Sequence, residues 1–146
     1  MLTDIQNDIL TALDAITAFK ERGVWQGNLE ELIKQPQKMP SVYVALASAA
    51  LGAPSTVPPS STMATICWDI IVIYQCLRER RIATVQGYSL IEAVVKPVAK
   101  GDETVGGLTG LRTQGGLLWP TSLELLDTTN GISAYVIRFE IERRIV

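Results

Sequence analysis

Thr65-Ile66-Cys67-Trp68-Asp69-Ile70-Ile71-Val72-Ile73-Tyr74-Gln75-Cys76-Leu77-Arg78 is the most apolar long run in the chain, and Asp69 is the only charge before its last residue. β-Branched and aromatic side chains dominate it, which predicts a strand. Trp68, Ile70, Val72, Tyr74 and Cys76 fall on one face, and Cys67, Ile71 and Ile73 on the other. A strand apolar on both faces belongs in the middle of a sheet, covered on both sides. Asp69 then sits at an exposed edge of its face or is paired, because an unpaired buried carboxylate is costly. Cys67 and Cys76 are an odd number of residues apart. They point to opposite faces, cannot bridge each other, and read as small buried hydrophobes.

Upstream, Thr3-Asp4-Ile5-Gln6 has capping-box spacing, and Ile5, Ile9, Leu13 and Ile16 follow on one helical face. A helix is expected from about Asp4 to Phe19, then a short extended piece at Val24 and Trp25. Asn28-Leu29-Glu30-Glu31 signals a second short helix that must end before Pro36. Ser41 to Leu46 reads as a strand, and 52–62, with Pro54, Pro58 and Pro59 among Ser and Thr, as a loop. Downstream, Tyr88 to Lys100 carries apolar residues at helical spacing, with Pro97 distorting or ending the helix and Gly101 as a C-cap. Six of the eleven glycines lie in 101–116, which reads as a flexible loop. Leu117 to Leu126 and Ile132 to Arg143 are two strands, with Asn130-Gly131 as a hairpin turn between them. In the last strand Tyr135, Ile137, Phe139 and Ile141 alternate with Val136, Arg138, Glu140 and Glu142, so one face is covered and the other is wet or meets a partner. The expected fold is a single α+β domain over residues 1–146, a mostly antiparallel sheet packed by helices.

Composition narrows the function. The 146 residues contain no His, 13 basic and 15 acidic side chains, and only 19% charged residues, where about a quarter is usual. Imidazole-dependent nucleophiles and His metal sites are therefore excluded. Two Cys without His do not build a common structural zinc site. The glycine cluster is followed by no Gly-Lys-Ser/Thr, and no Gly-x-Ser-x-Gly elbow occurs. We expect no catalytic, cofactor-binding or metal-binding residue and no enzymatic activity. No third of the chain is basic enough for sequence-specific nucleic-acid binding. The amino-terminal residues lack a basic n-region and an apolar h-region, and no apolar run is long enough for a membrane helix. The expectation is a protein assembled in a cytoplasm without membrane contact. Arg78-Glu79-Arg80-Arg81 reads as a solvated strand end, or as an electrostatic contact with an acidic partner. From Met39 to Leu77 only Asp69 is charged. That interval suits a packed subunit interface, the alternative being that its strands simply form the core.

Gly27-Asn28-Leu29, Met39-Pro40-Ser41-Val42-Tyr43-Val44, Gly87-Tyr88-Ser89-Leu90-Ile91-Glu92 and Tyr135-Val136-Ile137-Arg138-Phe139 resemble segments of the Gp37-type proteins of Mu-like phages and prophages. The resemblance implies a tail-terminator (tail-completion) protein of the virion. Such a protein is an α+β subunit of a homo-oligomeric, hexameric ring at the head-proximal end of the tail. Its implied partners are the tail tube protein, a tail sheath where the tail is contractile, and a neck or connector protein. The loops at 52–62 and 101–116 and the outer face of the last strand are expected to meet these neighbours. The residues concerned are Ser55, Thr56, Val57 and Pro58; Leu108, Leu111 and Arg112; Arg78, Arg80 and Arg81; and Arg138, Glu140 and Glu142. The competing readings are another neck or head-completion component and, from a different class, a small cytoplasmic ligand-binding protein.

Overall fold

The computed structural model describes residues 2–25, 39–51, 62–75, 80–100, 103–104, 106–113, 116–129 and 132–145. Its centre is a mixed five-stranded sheet that draws on the chain from Glu21 to Ile145. The strands are β1 (Glu21–Val24), β2 (Ser41–Leu51), β3 (Thr62–Gln75), β8 (Trp119–Thr129) and β9 (Ile132–Ile145), in the order β1-β2-β3-β9-β8. Only the β1–β2 pair is parallel. β3 is the middle strand, as its two apolar faces require.

Two helices are described, α1 (Leu2–Asp14) and α2 (Arg80–Val95), and both pack on one face of the sheet. That face holds the main core. Ile5, Ile9 and Leu13 of α1 meet Val42 and Val44, the β3 residues Ile66, Trp68, Ile70, Val72 and Tyr74, and Leu90, Ile91 and Val94 of α2. On the opposite face Tyr43, Ile71, Ile73, Ala134 and Val136 form a second buried cluster. The alternation in β9 is as the sequence predicts: Ile137, Phe139 and Ile141 join the main core, while Val136 joins the second cluster.

Several boundaries differ from expectation. Helix α1 ends at Asp14 and not near Phe19. Arg22, in β1, folds back on its last turn, its Nε donating to Leu13 O at 2.8 Å and its Nη2 to Ile16 O. Ile16 and Phe19 remain in the core without being helical. Helix α2 starts at Arg80, eight residues before the expected position, so Arg80 and Arg81 open a helix and do not close a strand. The sequence hid this start because two cations in a first turn oppose the helix dipole, the reverse of the usual signal. The helix ends at Val95, before Pro97; Gly101, expected as its cap, lies outside the described residues. The second helix expected from Asn28, the 52–61 loop, Arg78, Cys76 and the Asn130-Gly131 turn lie outside the described residues.

The largest correction concerns the glycine-rich segment, expected to be a flexible loop. Three short strand pieces and a buried plug occupy it: β5 (Glu103–Thr104) pairs with β4 (Ala99–Lys100), and β6 (Arg112–Thr113) pairs with β7 (Gly116–Leu117). Leu108 is fully buried in the main core. The segment also caps α2: Leu108 N donates to Val94 O, Thr109 N to Lys96 O and Thr109 Oγ1 to Val95 O. Gly107 lies so close to Lys96 that an added Cβ would meet its carbonyl oxygen at 1.7 Å, and Gly110 turns with φ 77°. These glycines serve close approach and a tight turn, not mobility.

Candidate assembly surface

Those contact residues expected from the sequence that lie among the described residues are spread over α2, β6, β9 and the segment that closes α2. Ser55, Thr56, Val57, Pro58 and Arg78 lie outside the described residues. Arg80 and Arg81 are in the first turn of α2. Leu108 is a core residue and Leu111 packs against the same core, so neither is a free contact; their spacing among glycines gave no sign of this. Arg112 is exposed on β6. Glu142 stands opposite Thr65 in the β9–β3 pairing.

Among the described side chains, Arg138 and Glu140 share one place, the face of β9 away from the helices. Arg138 stands directly opposite Asp69, to which its Nε donates at 2.9 Å and its Nη2 at 3.3 Å. This two-pronged pairing answers the question posed by the lone acid of β3. The Asp69 carboxylate, through its hydrogen bond and then its charge, holds the Arg138 guanidinium above its ordinary value. One step along, Cys67 stands opposite Glu140, and its thiol donates to Glu140 Oε1 at 3.6 Å. Cys67 is therefore half-buried on a polar stretch, not the fully buried hydrophobe expected. Past Ile71 this face changes from apolar to polar, which alternation alone does not reveal.

An exposed apolar surface at the other edge of the sheet was missed. On β8, Leu123 stands opposite Ile137 and Leu125 opposite Tyr135, so both point to the helix-covered face. They are nevertheless 53% and 51% exposed, because α2 covers β3 and β9 but stops short of the edge strand. An open groove of about 630 Å³ runs between α2 and β8, floored by Ile91, Val95, Leu123 and Ile137 and rimmed by Glu92 and Lys96. Tyr88 of α2 is half-exposed, and Tyr135 stacks on Tyr74 with ring centroids 6.3 Å apart. β-Bulges at Pro120/Ser122 and Leu125/Asp127 interrupt β8, a common device on edge strands. Trp119, opposite Glu140, leaves the sheet on the far face and is also half-exposed. Among the described residues no His, Cys, Asp or Glu side chains cluster as a metal site, and no helix is long and apolar enough to cross a membrane. The sequence signal for the groove was the alternation Leu123-Glu124-Leu125. It marks an apolar face without saying whether a helix reaches it.

Comparison with known proteins bears on the fold. No family model matches the chain, and no curated protein matches it in sequence. Among solved structures, a chain from the virion of a native gene transfer agent particle is similar, with a TM-score of 0.53 and 14% identity. The likeness covers 97% of this chain and 95% of that one. The two share an α+β architecture from end to end.

Proposed function

We propose that this chain is a structural protein of a phage-type virion, and within that class a tail terminator. In this reading it is a subunit of a homo-oligomeric, hexameric ring that caps the head-proximal end of the tail tube. The ring stops tube polymerisation and presents a docking surface to the neck or connector protein, with a sheath beside it if the tail is contractile. The observation that carries the reading is the end-to-end fold likeness to a chain of a gene transfer agent virion. The segments similar to Gp37-type proteins support the finer assignment. The role is architectural: it calls for no catalytic residue, metal or cofactor, and for no membrane or sequence-specific nucleic-acid contact.

Ring closure needs a head-to-tail contact between two different surfaces of the subunit. The groove between α2 and β8 is suited to be one of them, since burying each half-exposed leucine would contribute about 1 kcal/mol. The sharpest experiment removes the gene from a phage that encodes the chain and examines the particles. The reading expects headless tails of uncontrolled length, with restoration by the wild-type gene. Infectious particles with normal tails would refute it. Tails of normal length that fail only to join heads would favour the other neck or head-completion role. The same groove, with a second cavity of about 430 Å³ lined by Met39, Pro40, Tyr74 and Leu90, favours a small apolar ligand; a stoichiometric molecule released from the purified protein would promote that reading.

A further inference from the structure

β3 and β9 are the longest strands, 14 residues each, and they pair along their whole length. A slip of one residue is strongly resisted, because it would turn Trp68, Ile70 and Phe139 out of the core. A slip of two is a different matter, since it returns every side chain to its own face. On the helix-covered face such a slip mostly exchanges one large apolar neighbour for another: moving β9 one way sets Trp68 and Ile70 against Ile141 and Phe139, and the other way sets Ile66 and Trp68 against Phe139 and Ile137. Toward the ends a polar residue enters, Arg143 against Ile66 in the first case and Ser133 against Val72 in the second. Hydrophobic alternation therefore discriminates only weakly among registers two residues apart.

The opposite face does choose. In the observed register Cys67, Asp69 and Ile71 face Glu140, Arg138 and Val136. Moving β9 by two residues one way sets Asp69 against Glu140 and Arg138 against Ile71. Moving it the other way sets Asp69 against Val136 and Arg138 against Cys67. The first shift opposes two carboxylates, and both shifts leave Asp69, whose side chain is only 20% exposed, without its cation.

We infer that the Asp69–Arg138 pair is the register key of the sheet. It selects one alignment from those the apolar pattern leaves open, and through β9 it fixes where β8 lies against α2. A two-residue slip would carry Leu123 and Leu125 roughly 7 Å along the helix and dismantle the groove. The inference stands independently of any role in a virion. Ion pairs of this kind can be replaced by apolar side chains with little loss of stability, so the signature is lost alignment and not simple unfolding.

The test uses Cys67 as a reporter in a full-length Cys76→Ser chain. Directly opposite residues of an antiparallel pair are close enough for a disulfide, whereas diagonal ones are not. With the key intact, oxidation should link Cys67 to a thiol introduced by Glu140→Cys and not to one introduced by Glu142→Cys. Adding Asp69→Leu/Arg138→Leu should raise the bridge to position 142 from background to a yield comparable with that to position 140. Asp69→Arg alone, which finds Glu140 in the slipped alignment, should make position 142 the main bridge. The exchanged pair Asp69→Arg/Arg138→Asp should restore position 140. Bridging confined to position 140 in the Leu pair or in Asp69→Arg would overturn the inference, as would bridging at position 142 in the exchanged pair.

Discussion

Gly107 and Tyr74 show how single residues set the packing of this protein. The backbone of Gly107 lies against Lys96 with no room for a side chain, which lets Leu108 drop into the core and close the end of α2. Gly107→Ala must push the two backbone segments apart, and we expect a loss of at least about 2 kcal/mol, read as a lower urea midpoint at unchanged slope. An unchanged midpoint would show that the segment is not seated as described. Tyr74 is buried under α2, and burial, the largest cause, raises its hydroxyl above the ordinary 10.0. A raised value means the folded state keeps the proton after the unfolded chain has lost it. The resulting stability is complete below about pH 10 and is lost as pH climbs through the folded value. Melting temperatures should therefore fall above pH 10, and less steeply for Tyr74→Phe than for the wild type; equal slopes would contradict the assignment.

Among the elements, α1 depends on a residue outside itself. Arg22 reaches back from β1 to the carbonyls of Leu13 and Ile16, placing a cation at the helix C-terminus where the dipole favours it. Arg22→Ala should cost about 1–2 kcal/mol in denaturant unfolding. Asp14→Asn should change stability by less than about 0.5 kcal/mol, because Asp14 is 70% exposed and 3.7 Å from the guanidinium. The four long strands and the buried face of α1 were legible because their signals are local and repeat along the chain. The start of α2 was not legible, because Arg80 and Arg81 violate the local rule and packing against β3 overrides it. The glycine-rich segment misled for a related reason. Glycine marks both mobile chain and tight approach, and only the partner backbone at Lys96 distinguishes them.

For the molecule as a whole, the shortage of charge between Met39 and Leu77 has a simple source in its described part. β2 and β3 are two of the three interior strands of the sheet, and Val42, Val44, Ile66, Ile70 and Val72 are buried within the chain. The core reading accounts for these strands, and the exposed apolar surface lies instead on β8, near the other end of the sequence. Which edge a helix leaves uncovered depends on how far α2 extends across the sheet, a distance no residue pattern encodes. Leu123→Glu should alter stability by less than about 0.5 kcal/mol, since the site is solvated in the free subunit, while weakening assembly; the check is a melt beside particle yield. Unchanged yield would remove the groove from the proposed contacts. The tail-terminator role is decided by locating and counting this chain in the density of an intact virion that encodes it. Six copies in one closed ring are expected where the tail tube meets the neck. Absence of the chain from the particle, or a position elsewhere on it, would refute the role.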